Sequence, residues 1–271
     1  MTRRRLDAEL VRRGLVRSRE EAREAVGAGL VTVGGRPAAK PSTLVGPEEP
    51  VELRAPARRF VSRGGEKLEA GLDRLGIDVR GRDCLDAGAS TGGFTHCLLS
   101  RGARRVAAVD VGYGQLAWSL RRDPRVTVLE RTNARDLTPA QLPFRPEVMA
   151  ADLAFISLRP VVPALARVAA PGATAVLLVK PQFEAGPERV GRGGVVRDPA
   201  VWRWAVEGVA EACRAVGLEP FGVVPSPLLG PAGNVEFLLG CRLGGEAPPE
   251  GIGLGRAVEE AGELVAGRAA R

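Results

Sequence analysis

The chain has 271 residues, 45% of them hydrophobic, and a formal net charge of +7. That length suits one large domain or two smaller ones with packed cores, and the basic balance favours an anionic partner such as nucleic acid or a membrane surface. Cys84, Cys97, Cys213 and Cys241 show no metal-ligand spacing, and His96 is the one histidine, which argues against a zinc site and a His-based triad. No apolar signal core follows the basic N-terminus, the longest aliphatic run, Ala173 to Val179, is too short to span a bilayer, and scattered buried thiols suit the cytoplasm.

Residues 3–53 read as a small α/β unit. Leu6, Leu10 and Val11 repeat at helical spacing, and Gly14 ends that helix. Ser18 with Glu21 forms a capping box for a second helix, whose apolar face carries Ala22, Ala25 and Val26. Leu30-Val-Thr-Val33 is strand-like, Gly34-Gly35 makes a hairpin turn, and Val51-Glu-Leu53 closes as the last strand. This succession resembles the RNA-binding module of ribosomal-protein-S-four type. The resemblance implies that Arg4, Arg5, Arg12, Arg17, Arg19 and Arg23 lie along a phosphate backbone. The competing reading is a solvated helical face, because Glu20, Glu21 and Glu24 are interleaved.

Residues 54–65, rich in Pro, small residues and arginines, read as an exposed connection that itself touches RNA, with Arg59 and Arg63 as the candidates. The expected domains are 1–57 for RNA binding, 58–65 as linker, 66–243 as a larger α/β domain, and a tail over 244–271 that is either weakly helical or disordered. Glu66 to Leu75 reads as a helix with Leu68, Leu72 and Leu75 as its stripe, and Lys67 stands at its start.

From Asp83 onward strands and helices alternate, the mark of a doubly wound sheet. Asp86-Ala-Gly-Ala-Ser-Thr-Gly-Gly-Phe-Thr95 sits between a strand and a helix, where glycines let backbone amides approach a ligand. Its spacing departs from the dinucleotide fingerprint, and the acidic Asp86 suits a cationic amino-acid ligand such as S-adenosylmethionine. The candidate cofactor residues are Asp86, Gly88, Ala89, Ser90, Thr91, Gly92 and Gly93. To these the spacing adds Asp110, after the strand Val106–Val109, for ribose hydroxyls, and Asp136, in Asn133-Ala-Arg-Asp136, for an adenine edge. A fourth strand ends at Asp152. A helix is expected over Leu158 to Ala170, and a fifth strand, Ala173 to Val179, ends at Lys180. Gln182–Arg197 should be a mobile loop over the site. A helix from Asp198 to about Val216 follows, then strands over Leu218–Pro225 and Asn234–Arg242, the last antiparallel with Glu236 at its start.

Ligands of open parallel sheets bind outside the carboxyl ends of the strands. Asp86, Asp110, Asp136, Asp152 and Lys180 are all expected there, joined by Glu236 from the antiparallel strand and Lys67 from the preceding helix. The segments Phe60–Gly65 with Lys67, Leu85–Thr95, Asp110–Leu116, Asp152–Leu158, Leu178–Glu184, Gly191–Asp198 and Gly233–Phe237 together resemble the TlyA family. These are hemolysin-A-like ribosomal RNA 2′-O-methyltransferases with an FtsJ-like catalytic domain. The resemblance implies a Rossmann-like S-adenosylmethionine-dependent methyltransferase fold of seven mainly parallel strands beside the small RNA-binding domain. It places the family's Lys-Asp-Lys-Glu tetrad on Lys67, Asp152, Lys180 and Glu236. It also implies ribosomal RNA or ribosomal subunits as partner, cytidine as the target and a monomer, while the lack of a spanning or strongly amphipathic helix implies no stable membrane association. Arg58–Val61 looks like the family's interdomain motif, and His96, where members often carry Asp, is assigned no role.

The chemistry fits those residues independently. A ribose 2′-hydroxyl must lose its proton as it attacks a sulfonium methyl, and a neutral Lys180 is the candidate base. Flanking carboxylates favour the charged form of a lysine, which Lys67 opposes while stabilising the developing alkoxide. Asp152 and Glu236 orient the lysines and the ribose. Asp152-Leu-Ala-Phe is not the Asp/Asn-Pro-Pro-Tyr of amine methylation, and no cysteine is expected at the sheet edge for carbon-5 chemistry. Two other classes remain as alternatives: a membrane-active hemolysin-like protein, and a non-catalytic rRNA-binding or ribosome-assembly factor.

Overall fold

The N-terminal helices form where capping and apolar spacing coincide. In the computed structural model, which describes residues 3–16, 18–54 and 59–269, α1 (Leu6–Arg12) buries Leu6 and Leu10, and α2 (Arg19–Gly27) buries Ala22, Ala25 and Val26. Ser18 Oγ accepts the Glu21 N–H at 3.1 Å and starts α2. Strands β2 (Val31–Val33), β3 (Arg36–Pro37) and β5 (Val51–Leu53) make an antiparallel sheet with β2 central. Two shorter strands that alternation is too brief to reveal, β1 (Arg4–Arg5) and β4 (Leu44–Val45), pair beside α1. The chain divides into Met1–Arg59 and Phe60–Arg271.

The larger unit begins with α3 (Gly64–Arg74) and continues as β6 (Asp83–Ala87), α4 (Gly93–Ser100), β7 (Arg105–Val109), α5 (Trp118–Arg121), β8 (Val126–Leu129), β9 (Val148–Ala151), α6 (Val162–Val168) and β10 (Thr174–Val179). The turn α7 (Pro181–Glu184), α8 (Pro199–Arg214), β11 (Leu218–Pro225), β12 (Phe237–Leu243) and α9 (Leu254–Ala269) complete it. The sheet order is β11-β12-β10-β9-β6-β7-β8. β12 runs antiparallel to both neighbours, and β6 to β10 are parallel. This is the Rossmann-like methyltransferase arrangement expected from the motifs. The order reverses between β6 and β9, so the carboxyl ends there open a crevice.

Apolar side chains cover both faces of the sheet. Leu85, Met149, Leu177 and Phe237 face α6, α8 and α9, and Cys84, Val106, Val176 and Leu238 face α3 and α4. Of the two readings of the tail the helical one holds, because Leu254, Ala257, Val258 and Ala261 bury a stripe at helical spacing in the core. Two segments differ from the sequence reading. The helix expected from Leu158 starts at Val162, after a turn that the Val161 N–H closes on the Leu158 carbonyl at 2.9 Å. Segment 182–197, expected to be a mobile loop, folds into α7 and two 3-10 turns, Pro187–Arg189 and Arg192–Gly194. It is fastened where the Val196 N–H donates to Asn234 Oδ1 at 2.9 Å and Trp202 Nε1–H donates to the Val196 carbonyl at 2.9 Å. No helix among the described residues is long and apolar enough to cross a membrane.

Candidate active site

The turn after β6 forms a cradle that only glycine permits. Gly88 (φ +87°) leaves β6, and a Cβ there would overlap the backbone carbonyl of Asp152. Gly92 (φ +95°) caps α4, and a Cβ there would overlap Leu120. Ser90 accepts a left-handed φ of +48° between them, a strain the surroundings must hold in place. They do so through Asp110, at the end of β7. Its Oδ2 accepts the Ser90 N–H at 2.7 Å and its Oδ1 accepts the Gly112 N–H at 2.6 Å. Both oxygens keep lone pairs for further donors. The pocket so formed is lined by Ala89, Ser90, Asp110, Gly112, Gln115, Leu116, Val128 and Glu130.

Two lining residues, Gln115 and Glu130, escaped the sequence reading. Glu130 follows β8, accepts the Gly114 N–H at 2.7 Å and pairs with Arg121. Asp136 is exposed on the 3-10 turn Ala134–Asp136 and does not line this pocket. Thr91 is exposed on the same turn as the glycines, and Gly93 is buried under α3.

Asp86 does not face outward as a ligand carboxylate would. It is fully buried and accepts the Thr95 N–H at 2.8 Å and Thr95 Oγ1–H at 2.6 Å through Oδ2, pinning the first turn of α4. Its Oδ1 is buried without a partner. Burial pushes the carboxyl up to about 7, against the Thr95 hydrogen bonds and with help from the negative charges of Asp152 and Asp110. The native state therefore holds a proton there that the unfolded chain has released, so this group makes stability fall as pH rises from about 3.8 towards about 7. Asp86→Asn removes that slope. Thermal melts of the ligand-free protein across this range check it, and an unchanged slope would show that another group sets the dependence.

The four tetrad candidates lie in the larger unit as two amine–carboxylate pairs. Lys180 follows β10, and its Nζ lies 2.5 Å from Asp152 Oδ1. Lys67 Nζ pairs with Glu236 Oε2 in a buried contact, with Lys67 6% and Glu236 1% exposed. Sheet register explains how the pairs share an edge. Val179 opposes Phe237 across β10 and β12, so Lys180 and Glu236 stand one step beyond that pairing. Leu177 and Ala87 both pair with Ala151, so Asp152 leaves the adjoining strand at the same level, directly above Gly88.

Lys67 is delivered by close packing of α3. A Cβ on Gly93 would overlap Ser62 Oγ and press on Gly65, so the first turns of α3 and α4 touch through backbone. Gly71, one turn beyond Lys67, meets Leu238, two residues beyond Glu236. Arg63 NH2 donates to the Leu229 carbonyl at 2.5 Å, tying the same turn to the loop before Glu236. His96, given no role from sequence, accepts the Val61 N–H through Nδ1 at 3.2 Å and meets Phe60 edge-on. It fastens the segment entering α3 to the helix of the glycine turn. No spacing rule exposes such a contact between residues 35 positions apart.

The segments after β9 and β10 present aromatic rings beside the Lys180–Asp152 pair. Phe155 is 92% exposed at a left-handed φ of +63°. Its ring lies 5.5 Å from that of Phe183, which in turn lies 5.8 Å from Lys180 Nζ. Beneath them the buried Glu184 carboxylate accepts Ser157 Oγ–H at 2.6 Å and the Leu158 N–H at 2.7 Å, with Arg159 Nε at 3.5 Å. Burial raises the Glu184 carboxyl above its usual range against these contacts.

Among the N-terminal arginines, Arg4, Arg19 and Arg23 are exposed, and Arg19 acts electrostatically on Asp7. Arg5 pairs with Asp7 at 2.9 Å, and Arg12 pairs with Glu9 at 2.6 Å. Those two carboxylates are almost fully buried, and their carboxyls are held below the usual range by the guanidiniums. Arg5 and Arg12 therefore have a structural duty besides any phosphate contact. Arg17 and Arg58 lie outside the described residues.

Comparison with known proteins places this geometry. The FtsJ-like methyltransferase profile matches residues 60–243, and the S4 domain profile matches residues 4–51. The 16S/23S rRNA (cytidine-2′-O)-methyltransferase TlyA of Mycobacterium tuberculosis (strain CDC 1551 / Oshkosh) is 53% identical over 95% of this chain and 96% of its own length. Hemolysin A of Brachyspira hyodysenteriae is 36% identical over 86% of this chain and 98% of its own. A solved structure from Streptococcus thermophilus, described as a candidate hemolysin, superposes with a TM-score of 0.77 at 36% identity, covering 100% of both chains.

Proposed function

The chain belongs to the TlyA family of FtsJ-like methyltransferases with an N-terminal S4 domain, and on that premise we propose that Lys67, Asp152, Lys180 and Glu236 carry S-adenosylmethionine-dependent methylation of a ribose 2′-hydroxyl at cytidine in rRNA. The observation that carries this reading is the meeting of two amine–carboxylate pairs at the strand ends beside the glycine cradle.

The cradle fits S-adenosylmethionine. Gly88, Gly92 and Gly112 let the turn pack closely against Asp152, Leu120 and Gln115, Asp110 and Glu130 offer carboxylate acceptors for hydroxyls, and Ala89, Leu116 and Val128 give apolar walls for a flat ring. When bound, it supplies an electrophilic methyl group on a sulfonium. Lys180 Nζ accepts the 2′-hydroxyl proton, and Asp152 holds that amine in place. The Lys67 ammonium, set by Glu236, stabilises negative charge on the ribose oxygen. The Phe155 ring, exposed beside Phe183, gives the target base a stacking surface. Arg4, Arg19 and Arg23 of the S4 domain, with Arg5, Arg12, Arg59 and Arg63, supply phosphate contacts. All four tetrad residues come from one chain, which supports action as a monomer, in the cytoplasm where ribosomes are assembled.

Mapping 2′-O-methylation on rRNA incubated with the purified protein and S-adenosylmethionine tests the proposal. A methylated cytidine ribose is expected, and methylation on a base atom or no methyl transfer would overturn it.

A further inference from the structure

Glu184 sits outside the tetrad, yet it is a further group through which the two segments bearing Asp152 and Lys180 touch. It lies four residues past Lys180, at the end of α7, and is buried. Its partners all lie five to seven residues past Asp152: Ser157 Oγ–H at 2.6 Å, the Leu158 N–H at 2.7 Å and Arg159 Nε at 3.5 Å. The Arg159 guanidinium lies over Gly208 of α8, where a Cβ would overlap it, and stacks on Trp204 at 4.5 Å. Arg189 stacks on the same indole at 4.4 Å. The carboxylate is therefore anchored on the α8 side as well as between the two strand ends.

We propose that Glu184 is a positioning residue for methyl transfer: its carboxylate fastens the segment carrying Asp152 and Phe155 to the segment carrying Lys180 and Phe183, and so fixes the Lys180–Asp152 pair and the aromatic surface beside it. This rests on the functional reading above. Three features support it. The Glu184 carboxylate caps the Leu158 N–H at the head of a turn that closes from the Val161 N–H to the Leu158 carbonyl at 2.9 Å. Phe155 keeps a left-handed φ that is strained for a residue other than glycine, so something nearby must over-determine it. The Ser157 and Leu158 contacts lie two and three residues from it. Finally, the tetrad pair closes the same gap from above, so the segments are joined at Lys180–Asp152 and again at Glu184.

Glu184 touches no reacting atom, so its loss acts through placement. A misplacement near 1 Å costs about 10²-fold in rate. Glu184→Ala is therefore expected to lower kcat about 100-fold in single-turnover methylation, with the S-adenosylhomocysteine Kd unchanged within about threefold. Glu184→Gln keeps an acceptor for the Leu158 N–H and a donor for Ser157 Oγ, and should recover kcat to within about fivefold of the parent. Ser157→Ala, a smaller change that leaves the fold intact, should lower kcat about fivefold to tenfold. Hydrogen exchange at the Leu158 amide, which needs no activity, should quicken in Glu184→Ala and not in Glu184→Gln. Faster exchange with kcat unchanged would overturn the positioning role, as would a Glu184→Gln enzyme as slow as Glu184→Ala. A parent protein that methylates no rRNA ribose would instead overturn the functional reading itself, and the exchange data would still report on the fastening.

Discussion

Replacing Lys180 with alanine lowers the rate of methyl transfer by about 10²–10⁴-fold while binding of cofactor and rRNA changes little. The expectation follows from where Nζ is held. It lies 2.5 Å from Asp152 and at the end of a strand whose two neighbours lead to Asp152 and Glu236. Arginine at this position tests the role rather than the charge, because a guanidinium does not give up its proton in proteins. Lys180→Arg should therefore stay as slow as Lys180→Ala. Single-turnover methylation of rRNA with radiolabelled cofactor, paired with calorimetric cofactor binding, reads both quantities. Recovery of turnover in Lys180→Arg would remove the proton-acceptor role.

The second large effect falls on stability as well as rate. Glu236→Ala strands the buried Lys67 ammonium, and breaking one side of a buried pair costs about 3–5 kcal/mol. For a unit of this size that loss lowers the melting midpoint by about 10 °C. The double replacement Lys67→Met with Glu236→Leu removes both charges and keeps similar volume, so it should restore most of the midpoint while methylation remains absent. Calorimetric melts and rRNA methylation on the same preparations separate the outcomes. A double variant that regains activity along with stability would show that the pair serves only the fold.

Much of this arrangement was legible in the sequence for a physical reason. Leu85–Thr95, Leu178–Glu184 and Gly233–Phe237 carry their chemistry at strand ends, where alternating pattern and glycine spacing are local signals. The tetrad candidates, named through the family resemblance, could thus be expected at one edge before any coordinates, whereas alternation alone does not give the strand order. What stayed hidden is long-range. His96 acts on Val61 through an imidazole nitrogen, Glu184 acts on Ser157 and Leu158, and Asn234 holds Val196 across 38 positions. None of these leaves a period or a spacing to read. Asp86 misled because an acidic residue at a strand end looks available, whereas Thr95 and the core claim it. Asp136 misled because polarity near a strand end does not say which residue of a turn points inward. The C-terminal helix was ambiguous because its apolar stripe is built largely from small residues, with Leu254 and Val258 its larger members.

The pairing of β10 with β12 has a consequence for how this chain can change in length. Lys180 and Glu236 reach the same edge only because six consecutive residues, Thr174 to Val179, match six on the opposite strand, Phe237 to Arg242. Removing or adding one residue in either ladder would turn the terminal side chain to the other face of the sheet. A single-codon deletion there should be as damaging as losing the lysine itself, although every chemical group survives. The exposed connection over residues 245–253 sits outside that count and can absorb such changes.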